Sequence, residues 1–472
     1  MAYDRGNAMG KGNRAVTGAR DGGRGGSVSA ARASTADGLE SPQGRAGLGV
    51  VSLTALAVGG VVGLGVMSMA GIGIGITGTG LWAAALVAGV LAVVALAPQR
   101  AVSAGGAYPG GQYEQVGALL GTRAGGVVAY LMCFLVFDVT AYAWTAAKLL
   151  QLPSLAERML AAVIIVVFVA IHVLGARVAA VAQLVMTLLL AGAFGVYAAY
   201  LAPHVRAGYL TRNVFLGSPA VFLFAVLYMT FMVNGVASIS NYAAVTREPR
   251  VVIPRAMRLS LGIVVVSYTL LCVLDAGVLP IDRVANRDLS VSAGAFMPSG
   301  VASAFVASGS AFALLTTLNA VIGWIVHPLR AAAQDGWLPK ELAAVSGRTG
   351  APVRLLAVLA AAGVVPLIAG VSTMTVSSSV TILTVMVQLA IAAGAVRRER
   401  RPVVRGVCVI ACVVDVSLIA WLLYTMNVLL IAGNAVLLVI AVLAAYLRGA
   451  SLPQSDGTRP RGNVGTTDAR IR

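Results

Sequence analysis

Three carboxylates lie within long apolar stretches of the sequence: Asp138, Asp275 and Asp415. A carboxyl group removed from water either takes up a proton or keeps a cation beside it, so each is a candidate for chemistry. Asp138 is the best placed, near the middle of its stretch, with Tyr142 one helical turn further on the same face. The pair could take up a proton or hold a cationic substrate; a structural hydrogen bond to a neighbouring helix is the plainer alternative. Asp275 falls near the end of its stretch, where water is expected to reach it. Asp415 is expected to serve packing or contacts between copies.

A second kind of chemistry needs no side chain. Gly63-Leu64-Gly65 interrupts one apolar stretch, and a small polar patch around Asn234, Gly235 and Ser238 interrupts another. A helix broken inside an apolar medium frees backbone groups that hydrocarbon cannot satisfy, so a break persists only when buried or facing a polar cavity. Amide N–H groups after Gly65, backed by the helix dipole, suit a carboxylate, and carbonyls freed near Gly63 and Gly235 suit an ammonium group. A zwitterion is the natural ligand for such a pair.

The elements that must position these residues are membrane helices. The chain has 472 residues, 59% of them hydrophobic and 11% charged, with a mean hydropathy of +0.89, which no ordinary soluble domain reaches. Apolar stretches fit the roughly 20 residues of a spanning helix, without the alternation of a membrane barrel. Twelve spans are expected, near 47–71, 79–97, 125–147, 159–175, 178–201, 219–245, 259–279, 300–326, 353–371, 373–396, 404–424 and 426–447. Residues 1–45 and 448–472, polar and rich in small residues, read as disordered cytoplasmic tails, and no cleavable signal peptide is expected.

The net charge of +17 is dispersed between the spans rather than gathered in a patch, which argues for topology signals and a lipid partner, not nucleic acid. Of the 34 basic residues, Lys148, Arg158, Arg206, Arg212, Arg283 and Arg287 fall on one side of the membrane and the other 28 on the opposite side. The positive-inside rule therefore puts both termini in the cytoplasm of a multi-pass cell-membrane protein. The four cysteines sit in apolar runs, and His172, His204 and His327 have no partners at ligand spacing, so neither disulfides, metal nor cofactor is expected. No phosphate-cradling loop and no nucleophile–base–orienter set is present, which argues against ATP-driven transport and against an enzyme.

The interrupted spans are the first and the sixth. That five-span offset is the spacing of two inverted five-helix repeats that each begin with a broken helix. Several motifs agree. Gly63-Leu64-Gly65, then Pro109-Gly110-Gly111-Gln112-Tyr113 with Gly121, then Gly235 with Pro249 and Pro254-Arg255-Ala256, then Asn319, His327 and Asp335-Gly336-Trp337-Leu338-Pro339, and finally Arg397 to Pro402 occur in order. From about Ala46 to Arg401 the sequence resembles the amino acid/polyamine/organocation (APC) superfamily of secondary transporters. The resemblance implies an all-α fold of five-plus-five inverted repeats, residues 46–201 and 219–396, followed by two extra helices at 404–447. Pro249 to Ala256 would then end helix six as a basic stop. The chain departs from the family at Ala244 and Val245, where two glutamates are frequent, at Val236, where an aromatic is usual, and at Leu190, where many proton-coupled members carry lysine.

The resemblance implies a secondary transporter of amino acids or related amines, working by alternating access as a proton symporter or a substrate exchanger. Gly63, Leu64, Gly65, Phe231, Asn234, Gly235 and Ser238 would bind substrate, and Asp138 with Tyr142 would serve coupling or substrate charge. Ser308, Ser310, Thr316 and Thr317 could assist a cation against the first helix. The alternative, motivated by Ala244 and Val245 and by the Arg/Gly-rich N-terminal segment, is a sensor or scaffold that keeps the fold without transport.

Overall fold

A computed structural model describes residues 47–369 and 373–451. The expected tail at 1–45, and the expected tail at 448–472 beyond residue 451, lie outside the described residues. The described chain is helical throughout, with one isolated bridge between Leu48 and Thr246 and no strand. Its helices are α1 (Val50–Val61), α2 (Met69–Thr77), α3 (Leu81–Gly105), α4 (Gln112–Leu120), α5 (Thr122–Lys148), α6 (Ser154–Val173), α7 (Ala176–Leu201), α8 (Pro219–Val233), α9 (Pro249–Val278), α10 (Leu289–Phe296), α11 (Ser299–Gln334), α12 (Val353–Ala369), α13 (Thr373–Arg398), α14 (Pro402–Thr425) and α15 (Val428–Ser451). A 3-10 segment, Asn234–Val245, continues α8. Nine of these helical stretches are long and apolar enough to cross a bilayer, and α1 and α12 are shorter apolar helices. The protein is an all-α polytopic membrane protein.

Lipid-facing surfaces are legible in the exposure pattern. Leu86, Val87, Val90 and Val93 of α3 are exposed at helical spacing, as are Val163, Val166 and Val167 of α6. Such aliphatic faces are stable only against hydrocarbon. At the centre, α1 packs against α7, α9, α11 and the 3-10 segment, and α11 also contacts α5 and α7. The two glycines of α1 permit this density: a Cβ on Gly59 would sit 2.1 Å from Gln183 Nε2, and one on Gly60 2.5 Å from the Trp324 ring.

Three boundaries differ from expectation. Pro249 to Ala256 does not stop the sixth span; it begins α9, with Pro249 in the first turn, where a missing N–H is harmless, and Pro254 inside the helix. The turn that ends the sixth span falls at Arg247-Glu248 instead, with Glu248 left-handed at φ 47°. The eighth span runs on as α11 to Gln334, carrying His327 and Pro328 within the helix. The last helix reaches Ser451, past the expected limit at 447.

Candidate functional site

The first interruption forms where glycine and β-branched residues give α1 little intrinsic support. The chain turns at Val62, φ −78° and ψ 70°, and Gly63 N–H donates to the Val61 carbonyl at 2.8 Å, an inverse γ-turn. A short 3-10 turn follows at Leu64–Met67, and α-helix resumes only at Met69. The helix restart expected directly after Gly65 is therefore displaced to Met69, because the chain needs a tight turn to re-enter its axis.

Side chains from α9 and α11 reach the carbonyl end of α1, and side chains from α7 reach its middle. Thr317 Oγ1 of α11 donates to Gly59 O (3.1 Å), and Tyr268 Oη of α9 to Val61 O (3.3 Å). Gln183 and Thr187 of α7 donate to Ala55 O at 3.4 and 3.3 Å, and Asn319 Nδ2 holds Gln183 Oε1 at 2.7 Å. A buried helix end needs such partners. Of the hydroxyls expected to assist a cation, Thr317 reaches α1, whereas Ser308 and Thr316 bond within their own helix.

The sixth span tightens where the first one opens. It keeps right-handed geometry at Val233 and Asn234 and continues as a 12-residue 3-10 segment, far longer than the usual three or four residues. Its first residues lie against the end of α1: a Cβ on Gly235 would stand 3.1 Å from Val61 Cγ2 and 3.7 Å from the Trp324 ring. The Asn234 carbonyl accepts from Gln388 Nε2 of α13 at 3.2 Å. The two interruptions are thus in contact.

Asp138 follows a tightened turn in α5, where Leu135 N–H donates to Met132 O (3.2 Å) and Asp138 N–H to Leu135 O (3.0 Å). The carboxyl is half-buried and within electrostatic reach of Tyr142, which in turn lies within reach of Tyr268, the residue that caps Val61. Asp138, Tyr142 and Tyr268 thus follow one another within electrostatic reach, and Tyr268 alone of the three has a hydrogen bond to the α1 terminus. Asn234 and Ser238 are buried, and Gly65 approaches Met232, with a Cβ there falling 3.4 Å from Sδ. Leu64 is placed by its backbone within the 3-10 turn. Phe231 stands apart, its ring centroid 5.8 Å from that of Trp421 on α14.

Two residues at the site were not singled out from the sequence, Trp324 and Gln388. The Trp324 indole lies between Gly60 and Gly235 with its buried N–H unpartnered, and Gln388 leaves its buried Oε1 unpartnered. Buried polar atoms without partners are rare enough to call for a reason. The signal was available, since a Trp and a Gln inside long apolar spans both need partners, but apolar helices do not disclose which face points inward. Of the other two span carboxylates, Asp275 differs from expectation, being 1% exposed and not wet. Asp415 is 0% exposed, which agrees with the packing alternative expected for it rather than with contacts between copies.

A comparison with known families decides what this architecture is. The amino acid permease family profile matches residues 48–455, nearly the whole of the described chain. The chain belongs to the amino acid permease family. The match places the permease in the APC superfamily, in agreement with the motifs. Among curated proteins it is similar to uncharacterised transporters of Mycobacterium bovis and of two Mycobacterium tuberculosis strains, 36% identical over 126 residues. That stretch is 26% of this chain and 28% of those proteins. The permease's departures from family pattern fall in different places. Ala244 and Val245 close the 3-10 segment away from the interruption, and Leu190 is buried on α7.

Proposed function

We propose that the permease is a secondary active transporter of amino acids or related amines, binding substrate where the two interrupted helices meet. The observation that carries this reading is the contact of Gly235 with Val61, which brings the end of α1 and the start of the 3-10 segment to one place. The Gly59 and Asn234 carbonyls there, each with lone-pair capacity beyond its side-chain donor, suit an ammonium group, and the turn at Gly63 to Gly65 suits a carboxylate. The orphaned Trp324 N–H and Gln388 Oε1 add one donor and one acceptor beside Asn234 and Gly235.

In this reading Asp138 recognises the positive charge of the substrate, with Tyr142 and Tyr268 linking it to the α1 terminus. The end of the bundle that carries Arg250 and Arg255 faces the cytoplasm in this reading, which the distribution of basic residues supports. Transport proceeds by alternating access, as proton symport or as exchange of substrates.

Purified protein in liposomes and a panel of radiolabelled amino acids and polyamines test this. A pH gradient alone drives uptake in a symporter; dependence on preloaded substrate marks an exchanger. Asp138→Asn is expected to lower uptake of cationic substrates at least tenfold while neutral ones are spared. No uptake of any member of the panel under either condition overturns the transport reading in favour of a sensor or scaffold.

A further inference from the structure

At the end of the bundle opposite Arg250, residues 285–297 lie across two parts of the molecule. On one side they rest on α2: Asn286 N–H donates to Gly71 O at 2.7 Å, and the Asn286 side chain lies where a Cβ on Gly75 would be. On the other side α10 buries Leu289, Ser292 and Ala293, one helical face, and exposes Gly294 and Ala295. Beneath that face Ser292 Oγ donates to Asp275 Oδ1 of α9. Tyr197 of α7 lies beside both, its ring stacked on Phe305 of α11 at 4.8 Å. One carboxyl thus sits where α7, α9 and α10 meet.

This carboxyl is poorly served as an anion. Its second oxygen, Oδ2, has no partner, and the buried Tyr197 hydroxyl makes no hydrogen bond of good geometry although it is adjacent. The ionisable groups that face it are Tyr197 from α7, Cys272 one turn back on its own helix, and Asp288 at the N-terminus of α10. Among the described residues no cation pairs with it, and Arg206, whose N–H donates to Gly277 O on the same helix, lies over the Tyr209 ring. A buried, unpaired carboxylate with a second carboxylate nearby is unfavourable, whereas a protonated one gives Oδ2 a donor for the Tyr197 oxygen while Oδ1 still accepts from Ser292. The seated arrangement fits the acid and the lifted, hydrated one fits the anion.

We propose that Asp275 is a proton-binding site of the permease, loaded when residues 285–297 are seated over it and emptied when they lift. The proton enters on Oδ2 and leaves to water, and no bond to carbon changes. A proton held preferentially by one state stabilises that state, so seating is favoured at low pH and weakens as pH rises.

The test reads accessibility and needs no substrate. In a background with the four native cysteines replaced, Ala293→Cys reports the buried face of α10, and Gly294→Cys, on the exposed face, corrects for the pH dependence of the thiol. The probe is a membrane-impermeant maleimide on the purified full chain. The ratio of the two labelling rates is expected to rise with pH, approaching tenfold per unit at its steepest for a single linked proton. Asp275→Asn is expected to hold the ratio at its low-pH value throughout, with Asp275→Ser read in its place should the first variant not yield monodisperse protein, and Leu289→Cys is the second reporter of the buried face. A ratio that is flat with pH in the parent, or that keeps its pH dependence without Asp275, overturns the proposal. Uptake with flat labelling sinks this inference and leaves the transport reading; pH-dependent labelling without uptake does the reverse.

Discussion

The two ends of the bundle are closed by different means. At the end that carries Arg250, closure is a network of neutral side chains. Gln112 N–H donates to Asn241 Oδ1 (2.9 Å), and Asn241 Nδ2 returns to Gln112 Oε1 (3.3 Å) and reaches Trp324 O (3.2 Å). Gln99 Nε2 joins Ser240 Oγ (2.7 Å) and Ala237 O (3.1 Å), and Gln115 Nε2 joins Ser103 Oγ (2.9 Å). At the opposite end closure is backbone against glycine, plus a buried carboxyl, Asp275, under α10. Neutral amides satisfy one another at any physiological pH, so this network is indifferent to protons. The second end has a closure that a single proton can bias.

Backbone contact at the second end leaves no tolerance for bulk, and the largest effect is expected there. A Cβ on Gly71 would sit 1.8 Å from the Arg287 carbonyl oxygen, with no flexible side chain able to move aside. Gly71→Val should prevent seating of the segment, abolish uptake and lower the melting temperature, since overpacking of this kind costs about 1–3 kcal/mol or more. Wild-type melting and uptake in this variant would show that the contact is incidental.

The network end should yield less, and in smaller steps. Asn241→Ala removes three hydrogen bonds, those with the Gln112 N–H, the Gln112 Oε1 and the Trp324 carbonyl, at about 1.5–3 kcal/mol in all, near the low end of the net worth of a neutral hydrogen bond. A fall in melting temperature that does not change between pH 5 and 8 is expected, measured by thermal unfolding in detergent. A strongly pH-dependent fall would erase the contrast between the two ends. Gly111 belongs to the same device: at φ 58°, with a Cβ that would meet Asn241 Oδ1 at 2.4 Å, it is where the turn before α4 fits against the 3-10 segment.

The same contrast explains what could be read from the sequence. Where the backbone itself departs from α-helix, as at Gly63-Leu64-Gly65 and from Asn234 onward, composition and spacing reveal it, because few residue types permit such a departure in a membrane helix. Where it depends on which side chains meet, they do not. Trp324 and Gln388 sit in spans whose few polar residues do not mark a single face, so nothing in the local pattern points them at Gly235. Asp275 was misjudged for a related reason. Its place near a helix end predicts water, but α10, a separate helix following it in the chain, folds back over it, and covering by a distant element has no local signature. The run Pro249 to Ala256 misled in a third way, since proline marks either the stop of one helix or the first turn of the next, and only the left-handed Glu248 decides between them.

The smallest expected effect is also the most specific in its pH dependence. Beside the amide network, Tyr113 Oη donates to Asp335 Oδ2 at 2.8 Å, fastening α4 to the turn after α11. Burial, and after it the Asp335 carboxylate, hold the phenol above the ordinary tyrosine range. Tyr113→Phe should cost about 1.5 kcal/mol, the low end for a hydrogen bond to a charged group. Because the proton is retained more tightly in the folded protein than in the unfolded chain, the wild-type advantage is fully present below the ordinary phenol value of about 10 and declines as pH rises above it. The melting temperatures of Tyr113→Phe and wild type should therefore differ by a constant amount from pH 6 to 9 and converge at more alkaline pH. A difference that grows with alkalinity would mean that the buried phenol ionises readily, and that the closure at this end also responds to protons.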